Sequence, residues 1–438
     1  MRHVIYGILW IGIYLLITTA PIFLLLIGPG HPGRGFWREL SVALGFAGLA
    51  MIGIQFFLTG RFRAMTLPYG IDVVYHFHRA ISLIAFAFIL LHPLILILSY
   101  PDTVMLLNPV TAPWSMSAGL YSLLAFLAVI GTSVYRLALK LNYEAWRVIH
   151  TVAAVAAVAL ACVHLVGVNY YIEGPAKRGL WMAMAIGWIV PLGYVRLMKP
   201  LMMLRRPYVV DSVTRERGDS WSVKLRPEGH EGMQFAPGQF AWIRIGKSPF
   251  AAREHPISFS SSAMRKDQVI FTIKELGDFT STIGGVAPGS RAYLDGPHGS
   301  FTVDRHASAG FVFLAGGVGI TPMMSMVRTL SDRKDRRPLW LFYGTSTLDE
   351  ATFREELEVL EKEMKLRVIY VVSRPPDGWE GERGYISAEI MARYLPENRS
   401  GFEYFICGSQ VMQQSTKVAL EKLGIPLDQV ESESFNFV

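Results

Sequence analysis

"HRAISLIAFAFILLH", His78 to His92, is an apolar stretch that begins and ends with histidine. "HTVAAVAAVALACVH", His150 to His164, repeats the arrangement with the same spacing of fourteen. On an α-helix fourteen steps rise about 21 Å and turn about 1400°, some 40° short of four full circles. Each stretch therefore reads as one long helix with a histidine near either end of the same face. At that length and apolarity such helices suit a membrane, whose hydrocarbon core of about 30 Å takes about 20 residues to cross.

Working outward from these two stretches, four further apolar runs are long enough to cross. The six lie near residues 4–27, 37–59, 73–99, 117–139, 148–168 and 180–199. The first, behind Arg2, is longer than the core of a secretion signal and reads as a retained anchor. Residues 1–200 hold 13 Lys/Arg and 5 Asp/Glu, whereas residues 201–438 hold 29 and 30. The net charge of +7 thus belongs to the apolar half, and the second half has the balance of a soluble protein. Lys and Arg gather at Arg2, Arg61, Arg63, Arg136, Lys140, Arg147, Arg196 and Lys199 on one side of the spans, against Arg34, Arg38, Lys177 and Arg178 on the other. The positive-inside rule then places both termini, and everything after Pro200, in the cytoplasm. No basic patch for nucleic acid is expected. The only cysteines, Cys162 and Cys407, build neither a disulfide framework nor a Cys-rich metal site.

With that topology the third and fifth helices run in the same direction, so His78 lies level with His150 and His92 with His164. A lone intramembrane histidine reads as a core group bonded to a neighbouring helix. Four at matched spacing on two helices read as metal ligands, because an imidazole in hydrocarbon is costly without a partner. Neutral imidazole is an axial ligand of haem iron, and helix bundles hold cofactors in their cores. The expectation is two b-type haems, one per leaflet. One zinc or copper ion shared by all four is excluded by the separation of about 20 Å. His76 lies about 200° round the helix from His78 and reads as interfacial. Arg79 and Arg147 read as partners for haem propionates, or simply as part of the cytoplasmic positive charge.

From "RRPYVVDSV" onward, short alternating strands such as "WSVKLRP", "QFAWIRI" and "QVIFTIKEL" indicate an antiparallel barrel up to about Thr302. From "GFVFLAGGVGITPMMSMVRTL" the pattern becomes apolar strand, Gly turn and helix, repeated at "LWLFYGTS", "LRVIYVVSR" and "YFICGSQVM". That is the pattern of a doubly wound parallel sheet. "AGGVGITP", with Gly316, Gly317, Gly319, Thr321 and Pro322, lets the chain approach a pyrophosphate at a helix N-terminus. The expected fold class is therefore membrane α followed by soluble β and α/β, with a six-helix di-haem domain at 1–203, a barrel at 204–303 and a nucleotide-binding domain at 304–438.

"HPISFSS", from His255 to Ser261, resembles the flavin motif of the ferredoxin reductase type, and its His-Pro form resembles the NADPH oxidase and ferric reductase superfamily, which also carries paired haem-binding histidines. The resemblance covers nearly the whole chain. It implies FAD bound through His255, Pro256, Ile257, Ser258 and Ser261, with Ser258 at flavin N5 and His255 on the phosphates or ribityl chain. "IKELGDFT" is similar to the second flavin segment, placing Lys274 and Thr280 near the pyrophosphate. "VVSRPP" implies Ser373 and Arg374 on the 2′-phosphate of NADPH, NADH being the alternative; Arg suits a phosphate through its planar fork. "CGSQVM" sets Cys407 and Gly408 beside the nicotinamide, and "ESESFNFV" sets Phe435, or Phe437, over the flavin with Glu433 nearby.

The resemblance implies a path from cytoplasmic NADPH through FAD and two haems to a small-molecule acceptor on the outer face, dioxygen first and a ferric or cupric chelate second. A quinone or partner haem protein is a third acceptor. A membrane anchor whose histidines relay protons is the rival from another class. The outer loops offer His31, Asp102 and Glu173 as ordinary metal ligands. With no loop of the EF-hand form in the sequence and none expected before residue 1, control by calcium is not expected, and an obligatory protein partner is not expected either. The short loops suggest a bacterial plasma membrane.

Overall fold

A computed structural model describes residues 2–25, 33–62, 65, 70–251, 253–399 and 401–433. Phe435, Phe437, His31 and Arg63 lie outside the described residues. The chain divides into two compact units, Met1–Met198 and Lys199–Val438.

The first unit is helical: α1 (Arg2–Leu25), α2 (Phe36–Leu58), α3 (Ile71–Ser99), α4 (Trp114–Val134), α5 (Tyr143–Val168) and α6 (Pro175–Gly193). All six are long and apolar enough to cross a membrane, the last as part of a span reaching Leu204 through a π-helical turn at Tyr194–Met198 and α7 (Lys199–Leu204). In hydrocarbon a helix satisfies its own backbone, so an apolar run of this length has few alternatives. The closest helix pairs are α2 with α3 and α4 with α5. Phe46, Leu49, Phe126, Ala157, Val158, Trp181 and Trp188 form the buried core, whereas Leu83, Ile84, Leu124, Val152 and Ile189 are exposed. Such outward apolar faces suit lipid rather than water.

Several helix ends differ from the sequence expectation, three of them by five residues. Helix α5 starts at Tyr143 because the Asn142 side chain accepts from the Ala145 amide at 2.8 Å and caps it. Helix α4 stops at Val134, and the chain turns through Lys140 at φ 51° before Asn142. Helix α6 starts at Pro175, whose missing N–H is no loss in a first turn.

The second unit holds two six-stranded sheets. The antiparallel one comprises β1 (Tyr208–Glu216), β2 (Ser220–Pro227), β3 (Phe240–Ile245), β4 (His255–Ser258), β5 (Val269–Lys274) and β6 (Arg291–His298), in the order β4-β3-β6-β1-β2-β5. Its core is Val210, Val223, Leu225, Ile243, Phe259, Phe271 and Ile273. The parallel one comprises β7 (Gly310–Gly316), β8 (Leu339–Thr345), β9 (Leu366–Val372), β10 (Glu382–Arg383), β11 (Phe402–Cys407) and β12 (Val430–Glu433), in the order β10-β9-β8-β7-β11-β12. Helices α8 (Ile320–Asp332), α9 (Arg354–Glu363), α10 (Ala388–Tyr394) and α11 (Gln410–Lys422) connect its strands. Successive residues of β7 enter opposite cores: Phe311 and Phe313 pack on one face, Val312 and Leu314 on the other. A strand covered on both sides explains the unbroken apolar run "GFVFLA". Strand order reverses at β7, and crevices at such switch points, beyond the strands' carboxyl ends, are where open α/β sheets bind ligands.

Candidate functional site

In the helical unit the four histidines form two pairs of matching geometry. The His78 and His150 ring centres are 6.4 Å apart at 69°, and those of His92 and His164 are 6.4 Å apart at 66°. Two metal–imidazole bonds of about 2 Å, plus about 1 Å from each nitrogen to its ring centre, span about 6 Å. The spacing therefore suits two imidazoles on opposite sides of one metal.

Hydrogen bonds settle which nitrogen each ring presents. His78 Nδ1 lies 2.7 Å from Gln55 Oε1, an acceptor only, and the Gln55 amide is held in that orientation by donating to the Met51 carbonyl. His150 Nδ1 lies 3.0 Å from Ser133 Oγ, whose own proton is committed to the Val129 carbonyl at 2.6 Å. His92 Nδ1 meets the Ser41 carbonyl at 2.9 Å and His164 Nδ1 the Ser115 carbonyl at 2.8 Å. In all four rings Nδ1 is thus the donor, and Nε2 keeps its lone pair. Such second contacts orient ligands and fix their tautomer.

Glycines make room for two of these rings. A Cβ on Gly119 would stand 2.8 Å from His164 Nδ1, and one on Gly45 would stand 3.2 Å from His92 Nδ1. Gly45 follows Ser41 by four residues and Gly119 follows Ser115 by four, one helical turn. The sequence reading missed this repeated Ser-x-x-x-Gly, "SVALG" and "SMSAG", which was its one available signal for these supports. Gln55 and Ser133 carried no signal of their own. His76 and Arg79 are exposed, and Arg147 is half-buried.

In the second unit the nucleotide turn lies at the switch point. Gly316 closes β7, and Cys407 closes the neighbouring β11 in register with Ala315. A Cβ on Gly319 would stand 2.2 Å from the Cys407 carbonyl oxygen, so a residue without one is required there. Gly408 lies against Gly316, since a Cβ on it would stand 3.3 Å from the Gly316 amide nitrogen. Thr321 Oγ1 donates to the Val318 carbonyl at 2.9 Å, and Thr321 and Pro322 are buried in the first turn of α8. Cys407 is 2% exposed and pairs with Glu433 across β12. Burial, and next the Glu433 charge, push its thiol pKa well up, so the sulfur is neutral at physiological pH.

Ser373 and Arg374 follow β9 at the same edge of the sheet, their amides bonded to the Thr345 and Ser346 carbonyls after β8. The Arg374 side chain is 72% exposed and lies 3.6 Å from Glu350. Lys274, from the barrel, reaches the other oxygen of the same carboxylate at 3.9 Å.

The barrel brings the two flavin-like segments together. The His255 ring stacks on Phe279 of "GDFT" at 3.7 Å and 6°. Ser258, 4% exposed, ends β4 opposite Phe240, with Ile257 and Pro256 next along the strand opposite Ala241 and Trp242. Thr280 Oγ1 accepts from the Leu276 and Gly277 amides at 2.8 and 2.9 Å and so ties its own turn. Ser261 Oγ accepts from the Ile270 amide at 3.1 Å. Phe240 also pairs with His298, and a Cβ on the next residue, Gly299, would stand 3.0 Å from Glu433 Oε1. The Ser258 strand end and the Glu433 strand end therefore approach through Phe240 and Gly299.

Helix α8 locks the barrel to the parallel sheet. Ser325 Oγ donates to the Ser261 carbonyl at 2.8 Å, Arg328 Nη1 to the Ser260 carbonyl at 2.5 Å, and Thr329 Oγ1 accepts from the Ala263 amide at 2.9 Å. The helix that opens at the nucleotide turn thus holds the end of the "HPISFSS" segment.

Residues 44–162 match the ferric reductase like transmembrane component, and residues 313–418 match the oxidoreductase NAD-binding domain. The chain has the architecture of the NADPH oxidase and ferric reductase superfamily. Its helical part is thus similar to a reductase transmembrane component and its second part to a pyridine-nucleotide-binding oxidoreductase domain, and six of its helices are long and apolar enough to cross a membrane. NADH-cytochrome b5 reductase 1 of Pyricularia oryzae is 30% identical over 37% of this chain and 55% of its own length. The reductase component of propane 2-monooxygenase from Mycolicibacterium smegmatis is 28% identical over 52% of this chain and 66% of its own. The chain thus spans just over half to about two thirds of these curated relatives. Among solved structures, the cytochrome b5 reductase domain of Ulva prolifera nitrate reductase is 20% identical, with TM-score 0.47 over 53% of this chain and 98% of that one.

Proposed function

We propose that the protein carries electrons from cytoplasmic NADPH across a bacterial plasma membrane to dioxygen on the outer face, forming superoxide. The observation that carries the reading is the pair of equal 6.4 Å imidazole spacings with every Nδ1 engaged and every Nε2 left for a metal. Each pair would hold one haem through its two free imidazole nitrogens. When bound, FAD accepts a hydride and releases electrons singly, and the two haems conduct them outward. One NADPH yields NADP⁺, one proton and two electrons, which reduce two dioxygen molecules.

The chain's residues position and exclude. Gly316, Gly317 and Gly319 let the backbone approach the pyrophosphate at the start of α8. Arg374 and Ser373 receive the 2′-phosphate. Cys407 and Gly408 flank the nicotinamide beside Glu433, with the Cys407 thiol neutral. Ser258, His255, Pro256, Ile257 and Ser261 hold the flavin, with Lys274 and Thr280 at its second segment. His78 with His150 and His92 with His164 would hold the irons.

A second reading, an anionic ferric chelate as acceptor, is favoured by Arg34 and Arg38, which lie over the Tyr170 and Tyr100 rings at 3.4 and 4.2 Å beyond the His92 and His164 end. Cytochrome c reduction by the FAD-loaded protein with NADPH decides between them. Abolition by superoxide dismutase is the expected result. Reduction indifferent to dismutase, with faster turnover on ferric citrate, overturns the oxygen reading.

A further inference from the structure

We propose that Ser133 and Trp146 are positioning residues that set the reduction potential of the His78/His150 haem above that of the His92/His164 haem, against the opposing pull of Gln55. This rests on the reading of both pairs as haem ligands. The rings cannot supply the difference, since both pairs have the same centre spacing and interplanar angles of 69° and 66°. What differs is the acceptor behind each Nδ1–H. A stronger acceptor makes an imidazole a better donor to iron, stabilises the ferric state and lowers the potential.

His92 and His164 face backbone carbonyls, of Ser41 at 2.9 Å and Ser115 at 2.8 Å. His92 Nδ1 also lies 2.9 Å from Ser41 Oγ. His150 instead faces a hydroxyl, Ser133 Oγ at 3.0 Å, and that oxygen accepts a second bond from Trp146 Nε1 at 3.3 Å. A hydroxyl oxygen shared between two donors is the weakest acceptor of the four. Trp146 also packs on the ring itself, 5.3 Å between centres. Gln55 Oε1, at 2.7 Å from His78, gives the first pair its one strong acceptor, and it is a side chain that substitution can change. On the proposed path an electron enters the more easily reduced haem and leaves from the stronger reductant.

Spectroelectrochemical titration of the purified full-length holoprotein tests this, after haem is counted by its pyridine haemochrome. Two waves are expected, and His92→Leu assigns them by abolishing the lower one. Ser133→Ala removes the acceptor and moves the upper wave up. Trp146→Phe frees Ser133 Oγ to accept more strongly and moves the same wave down, as does Gln55→Glu. Ser115→Ala leaves the backbone acceptor of His164 in place, and both waves stay. A purely structural role would move Ser133→Ala and Trp146→Phe in the same direction. Two haems with coincident waves, variants that move neither wave, or Ser115→Ala acting as strongly as Ser133→Ala would overturn the tuning while leaving the haem reading intact. A folded protein that binds no haem overturns both.

Discussion

The imidazole of His164 occupies space that Gly119 leaves open, and the cost of filling it can be read from the distance. A methyl 2.8 Å from His164 Nδ1 forces the ring to move, whereas one on Gly45, 3.2 Å from His92 Nδ1, needs only a small adjustment. Overpacking of this kind costs about 1–3 kcal/mol. On the proposed reading of the histidine pairs as haem ligands, Gly119→Ala is expected to lower haem content from two to one per chain, and Gly45→Ala to keep both, as measured by pyridine haemochrome against protein concentration. A second residue-scale prediction concerns Glu350, which lies within 4 Å of both Arg374 and Lys274. If Arg374 receives a 2′-phosphate as proposed, Glu350 competes with it for those cations, so Glu350→Gln should raise the NADPH over NADH ratio of kcat/KM and Arg374→Ala should lower it. A charged hydrogen bond is worth about 1.5–3 kcal/mol, and the exposure of Arg374 brings the expected change to about tenfold. At this scale the pairing of the four histidines was legible because their spacing coincides with helical turns in an apolar background. Their acceptors were not, because Ser133 and Gln55 are common residue types whose role comes from how α4 aligns with α5 and α2 with α3.

The strand, Gly turn and helix running from β7 into α8 could be read from sequence because each piece has its own period and punctuation. The face of α8 that meets the barrel could not, since Ser325, Arg328 and Thr329 look like ordinary polar residues of an amphipathic helix. In the structure they bond to the Ser260, Ser261 and Ala263 backbone. The Arg328 guanidinium is aligned for this by a two-toothed pair with Glu356 at 2.7 and 2.5 Å. Ser325 is fully buried, and its hydroxyl also accepts from the Gly238 amide at 3.4 Å. Ser325→Ala leaves a buried carbonyl without its donor, at a cost of about 1–3 kcal/mol. The thermal midpoint of the reductase unit in the full-length protein should fall by about 3 °C per kcal/mol. Because the same helix bears the nucleotide turn and clamps the flavin-like segment, FAD release on heating should move with it. An unchanged flavin-release temperature alongside a lowered unfolding midpoint would mean that α8 stabilises the sheets without holding the flavin segment.

For the molecule as a whole, the histidine spacing fixes how far charge must travel. His78 and His92 are fourteen residues apart on one helix, about 21 Å of a hydrocarbon core of about 30 Å. A full crossing is worth about 2.3 kcal/mol per 100 mV, so passage between the two pairs alone carries about 1.6 kcal/mol of it. A chain that takes electrons from NADPH on one face and delivers them on the other moves two charges per nucleotide, and no compensating proton path is needed for turnover to begin. Reconstituted in vesicles with NADPH reaching only the reductase face, it should depolarise a membrane held negative on that face, as a voltage-sensitive dye reports. Turnover should slow as the potential reverses and recover when valinomycin and potassium collapse it. A protein whose histidines serve only as an anchor's internal hydrogen bonds would reduce its acceptor on the NADPH face, leave the dye silent and show no dependence on potential. Turnover that responds to the potential but persists in His78→Leu would place the crossing outside the histidine pairs, and so would separate the direction of electron flow from the route assigned to it.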